Sequence, residues 1–263
     1  MGLACARRMA GTVDVLLAVD RDGAGAAAVA GELTQPTTRV VPVELDVTDA
    51  GGVRALGERI AGEGSLRAVA HAAGVSPTMA DGHTVLHVDL VGTALLVDAF
   101  TPLVVAGTAM VCFASMAGHM AGDGVAPEVD AALDAPLAED FFERLLAAAG
   151  DAADDPGGAY GLAKRGVQRL VQREAVTWGR RGGRINSVSP GIIDTPMGRQ
   201  EFDAQPIMKN LVELTPLARE GEPRELAAAV AFLLSDEASF VNGTDLLVDG
   251  GVVAAMRSGA ALF

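Results

Sequence analysis

Apolar and polar positions alternate along the chain between two kinds of segment: short branched apolar runs and longer stretches with helical spacing. Residues 13–19, Val-Asp-Val-Leu-Leu-Ala-Val, are the first run and end at Asp20, which predicts a buried parallel strand. An Ala-rich helix over 24–33 and a strand over 39–43 leading to Asp46 follow, and Asp49 is placed to cap a helix running to about residue 61. The next strand, 66–70, is closed by His71-Ala72-Ala73-Gly74. A long helix spans about 83–105, and a strand over 108–114 ends at Ser115. Beyond an unusual insert, a helix bearing Tyr160 and Lys164 turns Ala163, Val167, Leu170 and Val171 to its buried side. A strand (184–189), a helix (222–234) and a last strand (246–248) complete the chain. Strands alternating with helices predict an α/β fold, a doubly wound parallel sheet with helices on both faces. No repeat or low-complexity segment competes with it.

Composition sharpens this picture in four respects. A length of 263 residues suits one domain, and with 50% hydrophobic but only 4% aromatic residues the core is expected to be built from small and branched aliphatics. A formal net charge of -14 repels phosphate backbones, so nucleic acid is not an expected partner. No apolar run reads as long and charge-free enough to cross a bilayer, and no basic leader with a cleavage site opens the chain, so no membrane partner and a cytoplasmic location are expected. Cys5 and Cys112 lie in apolar settings without metal-ligand spacing and are expected to be buried free thiols.

The candidate chemistry centres on Tyr160 and Lys164. Residues four apart share a helix face, so an ammonium can sit beside a phenol and favour its ionised form, drawing a pKa near ~10 toward neutrality. Alone, Tyr-x-x-x-Lys also describes an ordinary surface helix. His83 and His87 share the same spacing, which suits a metal, but no third ligand accompanies them and no metal is expected. The acid-rich stretch 125–155 reads as a solvated surface. His71 is open to two readings, a satisfied core histidine or a polar contact near a cofactor.

Taken in order, Asp20, Asp46, Ala73-Gly74, Ser115, Tyr160, Lys164 and Pro190-Gly191-Ile192-Ile193-Asp194-Thr195 resemble the short-chain dehydrogenase/reductase family over nearly the whole chain. The resemblance implies a Rossmann-type domain spanning residues 1–263. It further implies that Tyr160 is the acid/base that gives its proton to a carbonyl oxygen while a nicotinamide delivers hydride to the carbon. Lys164 would lower the pKa of Tyr160 and hold the nicotinamide ribose, and Ser115 would hydrogen-bond the substrate oxygen. Pro190, Gly191, Ile193 and Thr195 would line the nicotinamide, Gly2 the pyrophosphate, and Asp46 with Val47 the adenine, with Ala73 and Gly74 nearby. Asp20 would accept bonds from the adenosine ribose and repel a 2'-phosphate, which implies NAD rather than NADP; Arg21, next to it, could meet such a phosphate. A homodimer or homotetramer acting on a small alcohol or ketone is the family's expectation.

Three departures from the family's pattern stand out. The first strand and most of the glycine-rich turn are absent, which would leave strand edges unpaired in mid-sheet. This is the pattern expected if Met1 is an internal methionine of a longer protein. Asp89 stands where the family usually has an asparagine whose backbone carbonyl holds a water of the proton relay; its charge is placed to pair with Lys164. Ser115 and Tyr160 are 45 positions apart, far more than most relatives need. Asp134 and Pro136 look like helix starters there, and Leu137, Phe141, Leu145 and Ala149 form one stripe. An insert over about 120–157 is thus expected as one helix or a helical pair followed by a loop over 150–158. It should cover or remodel the face that the family's dimers commonly use. With the tail 246–263, this layout is closest to the 3α-hydroxysteroid dehydrogenase/carbonyl reductase branch. The segment 194–217 falls where the family has its substrate loop; its Met197, Phe202, Ile207, Met208 and Leu211 favour an apolar alcohol or ketone, or serve plain core packing. The reading is an NAD-preferring enzyme interconverting a secondary alcohol and a ketone, such as a hydroxysteroid. A catalytically silent ligand- or partner-binding relative and a reductase of acyl-thioester carbonyls are the alternatives.

Overall fold

The computed structural model describes residues 1–122 and 124–259; the last four residues of the tail singled out above lie outside them. Among the described residues there are six strands: β1 (Val15–Asp20), β2 (Arg39–Glu44), β3 (Ala68–His71), β4 (Ala109–Phe113), β5 (Arg184–Pro190) and β6 (Asp245–Val248). Every ladder is parallel. β1 pairs with β2, setting Val15 opposite Arg39 and Asp20 opposite Glu44, while β3-β4-β5-β6 make a separate four-stranded sheet. Parallel order brings the carboxyl ends of the four strands to one edge, so residues 72–76, Ser115, 191–195 and 249–251 emerge together.

Burial follows pairing. β4 and β5, each flanked by two strands, are buried at every position, and Met110, Val111, Cys112, Ile185 and Val188 are sealed from solvent. β1 corrects the expectation of a buried strand: Leu16 and Leu17 are half-buried and Val19 exposed, because β1 has a laddered neighbour on one side only.

Two helices form the wall that carries the site. The helical segment Gly82–Leu103 opens on Asp81, whose side chain accepts from Thr84 N, and it contains one wide π-helical turn, His87–Val91. The helix Pro156–Arg180 starts with proline in its first turn, where no N–H is needed, and Asp155 accepts from Gly158 N at 2.8 Å. The two approach closely because Gly166 has no side chain: a Cβ there would lie 2.6 Å from Leu90 Cδ2. At the far end Trp178, fully buried, donates from Nε1 to Thr101 Oγ1 at 3.0 Å.

Gly82–Leu103 also corrects the statement that no segment could cross a bilayer. Its length and apolarity suffice, but 61% of its most apolar stretch is buried inside the protein, as the core helix of this wall.

The insert differs in detail from expectation. Asp134 and Pro136 do not start a helix. Asp134 ends the helix Pro127–Leu133, and its carboxylate pairs with Arg169 and Arg173 of the long helix. The next helix is Phe141–Ala149, burying Phe141 and Leu145 and leaving Leu137 outside it and exposed. Residues 150–158 are no loop: they hold the short helix Asp151–Asp154 and the first turn of the long one. Asp130 accepts two bonds from Arg165, both at 2.7 Å, and one from Arg169 at 2.9 Å, so acids of the insert clamp it onto the long helix. His83 stacks on Phe142 of the insert at 4.1 Å between ring centroids.

Candidate active site

Ser115 follows β4 and caps the helix Met116–Ala121, its hydroxyl accepting from Ala117 N at 3.1 Å; it is close enough to Tyr160 to favour the ionised phenol. One helical turn on from Tyr160, the Lys164 ammonium lies 5.4 Å from the tyrosine ring centroid and donates to the Phe113 carbonyl at 3.2 Å. Lys164 is only 5% exposed, and its third anchor is Asp89 Oδ2 at 3.1 Å, from a carboxylate that is itself fully buried.

The π turn places that carboxylate. A single wide turn shifts the helical register locally and is a feature often found at functional positions. Here it delivers Asp89 to the end of β3, where Oδ1 accepts from Val75 N at 2.8 Å. Gly74 is needed for this approach, since a Cβ there would stand 2.9 Å from Asp89 Oδ1 and 3.4 Å from Lys164 Nζ. Behind the pair, the Asp89 carbonyl accepts from Thr93 Oγ1 at 2.6 Å, and Thr93 Oγ1 meets His71 Nε2 at 3.0 Å. His71 is thus a satisfied core histidine. Burial, with a smaller contribution from the Lys164 charge, lowers its pKa to about 4, so it is neutral.

The electrostatics correct one expectation. Tyr160 titrates above its ordinary value, because burial outweighs the Lys164 charge and the Ser115 hydrogen bond, and Asp89 and Glu201 push the same way as burial. Lys164 also titrates high: burial works against its charge, but Asp89 and Tyr160 more than offset that. Asp89 offsets much of the cation that would otherwise ionise the phenol; burial raises the Asp89 carboxyl itself, against the opposing effects of the Lys164 charge and the Val75 N–H, so the resting site holds a neutral phenol beside a buried Asp89–Lys164 pair.

The residues expected to line a nicotinamide gather at the same edge. Pro190 ends β5, Gly191 packs so close to Asp249 that a Cβ would lie 2.6 Å from its Cα, Ile193 is buried, and Thr195 caps the helix Pro196–Ala204 through Gly198 N. Gly2 begins the helix Gly2–Met9, whose first turn has no side-chain cap, and a Cβ on it would sit 3.5 Å from that of Ala72, just before Ala73. Asp20, Arg21, Asp46 and Val47 belong to the other sheet. Asp20 is exposed, its Oδ1 accepting from Asp22 N at 3.0 Å; Asp46 is held below the usual carboxylate range by the Thr48 N–H and hydroxyl. Val47 is buried against Gly92. Arg21 and Asp46 line an open cleft of about 690 Å³ with Glu44, Asp49 and Arg59, apart from Tyr160.

Two features had escaped the sequence reading. His119 Nε2 meets Asp245 Oδ2 at 2.6 Å, and Asp245 Oδ1 accepts from Ser187 and Ser189; Gln168 donates to Ser189 Oγ at 3.0 Å. This chain ties the helix begun by Ser115 to β5 and β6. The second is Glu201, half-buried on the helix Pro196–Ala204, its carboxyl pushed above the ordinary range by burial. Its one signal in the sequence is an acid beside Phe202 in a segment otherwise read as apolar.

A family profile described as "Enoyl-(Acyl carrier protein) reductase" matches residues 1–132 and 146–253. A "Short-chain dehydrogenase/reductase bsc3" from Alternaria brassicicola is 34% identical over 260 residues, 97% of this chain and 92% of that protein. The chain belongs to the short-chain dehydrogenase/reductase family. Within it, the 3-alpha-hydroxysteroid dehydrogenase/carbonyl reductase of Comamonas testosteroni is 30% identical over 191 residues, 70% of this chain and 72% of its own. The crystal structure of the 3-alpha-hydroxysteroid dehydrogenase from Pseudomonas sp. B-0831, complexed with NADH, superposes with a TM-score of 0.73 at 30% identity, covering 94% of this chain and all of that one. Both agree with the branch that the insert suggested, and with an α/β Rossmann-type oxidoreductase of this family.

Proposed function

We propose that the chain, read as one domain over residues 1–263 with an insert at about 120–157 and a substrate loop at about 194–217, is an NAD-preferring oxidoreductase that interconverts a secondary alcohol and a ketone of apolar, ring-bearing character. The observation that carries this is the convergence of Ser115, Tyr160 and the Asp89-anchored Lys164 at the carboxyl edge of β3-β4-β5.

The residues present suit a nicotinamide dinucleotide. Exposed Asp20 at the end of β1 offers a carboxylate to ribose hydroxyls, and Asp46 and Val47 stand at the end of β2 for the adenine. The uncapped first turn at Gly2, beside Ala73 and Gly74, presents N–H groups suited to a pyrophosphate. Pro190, Gly191, Ile193, Thr195 and Lys164 surround the remaining end. The cofactor, when bound, supplies or accepts the hydride.

The chain's own residues handle the proton. In reduction, Ser115 orients the substrate oxygen and the neutral Tyr160 phenol gives it a proton; in oxidation Tyr160 must first be ionised, so its raised pKa favours reduction at neutral pH. Lys164 stabilises the tyrosinate, and Asp89 with Val75 N and the Phe113 carbonyl keeps the ammonium in place. Met116, Ile192, Met208 and Leu211, packed with Phe202, offer an apolar wall that supports a hydrophobic substrate. The assembly is taken to be a homodimer or homotetramer.

Thermal-shift titration with NAD, NADH, NADP and NADPH tests the cofactor preference. A ligand that binds the native state raises Tm by mass action. Larger shifts with NAD and NADH are expected. Larger shifts with the phosphorylated pair would assign Arg21 rather than Asp20 the deciding role, and no shift with any would favour the silent binding protein.

A further inference from the structure

The helix Met116–Ala121 carries Ser115 at its N-terminus, and at six residues it is too short to hold its place by its own hydrogen bonds. It lies on the long helix Pro156–Arg180 at backbone contact: a Cβ on Gly118 would stand 2.9 Å from Lys164 C and Arg165 N, and one on Gly161 3.2 Å from Ala121 Cβ. Where two helices meet through glycines few side chains interlock, so packing alone leaves the short helix free to slide along the long one. A chain of polar contacts removes that freedom. His119, one turn on from Ser115, meets Asp245 Oδ2 with Nε2 at 2.6 Å; a carboxylate only accepts, so Nε2 carries the hydrogen. Asp245 stands at the start of β6 opposite Ser187 of β5, and its Oδ1 accepts the Ser187 hydroxyl and, at 3.0 Å, that of Ser189. With its proton given to Asp245, Ser189 Oγ accepts from Gln168 Nε2 at 3.0 Å, and the same nitrogen lies 3.5 Å from the Ser115 carbonyl. Gln168 is one turn beyond Lys164 on the helix that bears Tyr160. The chain thus leaves the Ser115 helix at His119 and returns to Ser115 from the helix of Tyr160 and Lys164, with Asp245 at its centre. Ser187 and Ser189 are sealed from solvent and the Asp245 side chain is only 8% exposed, so these bonds to a charged acceptor are strong ones.

We propose that Asp245 is a positioning residue: through His119 on one side and through Ser189 and Gln168 on the other, it fixes where the Ser115 hydroxyl stands relative to Tyr160. This goes beyond the dehydrogenase reading and rests on it, because Asp245 acts on the reaction only through the serine. A substrate oxygen shared by two hydroxyls must be placed closely, and a displacement of about 1 Å can cost on the order of 100-fold in rate. Loosening the pin lets Ser115 wander. The chemical step then slows, while the cofactor and the apolar part of the substrate bind as before, so kcat falls and KM holds.

The test measures kcat and KM for oxidation of cyclohexanol and of androsterone with saturating NAD, well below every Tm, in the wild type, His119→Ala, His119→Gln and Asp245→Asn. His119→Ala removes the donor to Asp245, whereas the glutamine amide can still supply one. His119→Ala and Asp245→Asn should lower kcat about 10-fold and leave KM and NAD affinity within about twofold, and His119→Gln should restore most of the rate. His119→Ala is also combined with Ser115→Ala. An effect exerted through the Ser115 hydroxyl vanishes once that hydroxyl is gone, so in this background His119→Ala should change the single-turnover rate by less than about twofold. Unchanged kcat in His119→Ala, no difference between alanine and glutamine at that position, or the same further loss in the Ser115→Ala background would overturn the role of Asp245 while leaving the dehydrogenase standing. If Asp245→Asn does not fold, or Ser115→Ala has no turnover, the contrast between alanine and glutamine at His119 decides alone. A wild type that oxidises neither alcohol would overturn both.

Discussion

Replacing Asp89 by asparagine removes one charge and keeps the shape, which makes it a sharp probe of the proton chemistry. The amide oxygen of the replacement can still accept from Val75 N, and Lys164 keeps its bond to the Phe113 carbonyl, so the ammonium stays nearby without its counter-ion. The path from Asp89 Oδ2 to Lys164 Nζ is 3.1 Å and from there to the Tyr160 ring centroid 5.4 Å, which bounds the carboxylate at about 8.5 Å from the ring. At an effective dielectric constant of about 20, one charge at that distance is worth about 2 kcal/mol, or somewhat over one pKa unit. The sign follows from the direction of the force. Asp89 opposes ionisation of the phenol, so its neutralisation lowers the apparent pKa of Tyr160. The assay is the pH profile of kcat for alcohol oxidation with saturating cofactor, where the ascending limb reports the group that must be deprotonated. The limb should move about one unit toward acid in D89N. An unmoved limb, or one moved toward alkaline pH, would refute the view that Asp89 withholds the lysine's charge from the tyrosine.

Two further outcomes follow from buried and half-buried groups. His71 has a folded pKa of about 4 against an unfolded value near 6.5, so the unfolded chain binds the extra proton first. Stability is full above about pH 6.5 and falls by about 3 kcal/mol as pH drops toward 4; urea unfolding of H71N across that range should show a shallower loss. Asp130→Ala removes the three bonds that Asp130 accepts from Arg165 and Arg169, while Asp134 keeps its pairs with Arg169 and Arg173. It should cost about 1–2 kcal/mol and advance limited proteolysis within 120–150, and an unchanged digestion pattern would show that Asp134 and apolar packing dock the insert without Asp130.

The alternating fold was legible because parallel strands buried by helices leave apolar runs that few other patterns produce. Strand positions from 39 to 44 and 184 to 190 matched within a residue or two, as did the Asp49 cap. What escaped had a tertiary cause. Asp134 reads locally as a helix starter, but two arginines of the long helix, Arg169 and Arg173, engage its carboxylate instead. The π turn at 87–91 leaves no periodic trace, because one wide turn does not disturb the apolar stripe around it. Tyr160 and Lys164 were visible as a pair, and Asp89 as a charge able to join them. The balance among these groups depends on burial, which sequence spacing does not encode.

The most direct test of the central claim is NADH formation from a ring-bearing secondary alcohol by the wild type and Tyr160→Phe, with NAD binding measured on the same samples. The account predicts that the variant binds NAD and unfolds at the wild-type temperature but loses turnover by several orders of magnitude, since the phenol is the group that exchanges the proton. Undiminished turnover in Tyr160→Phe would contradict it.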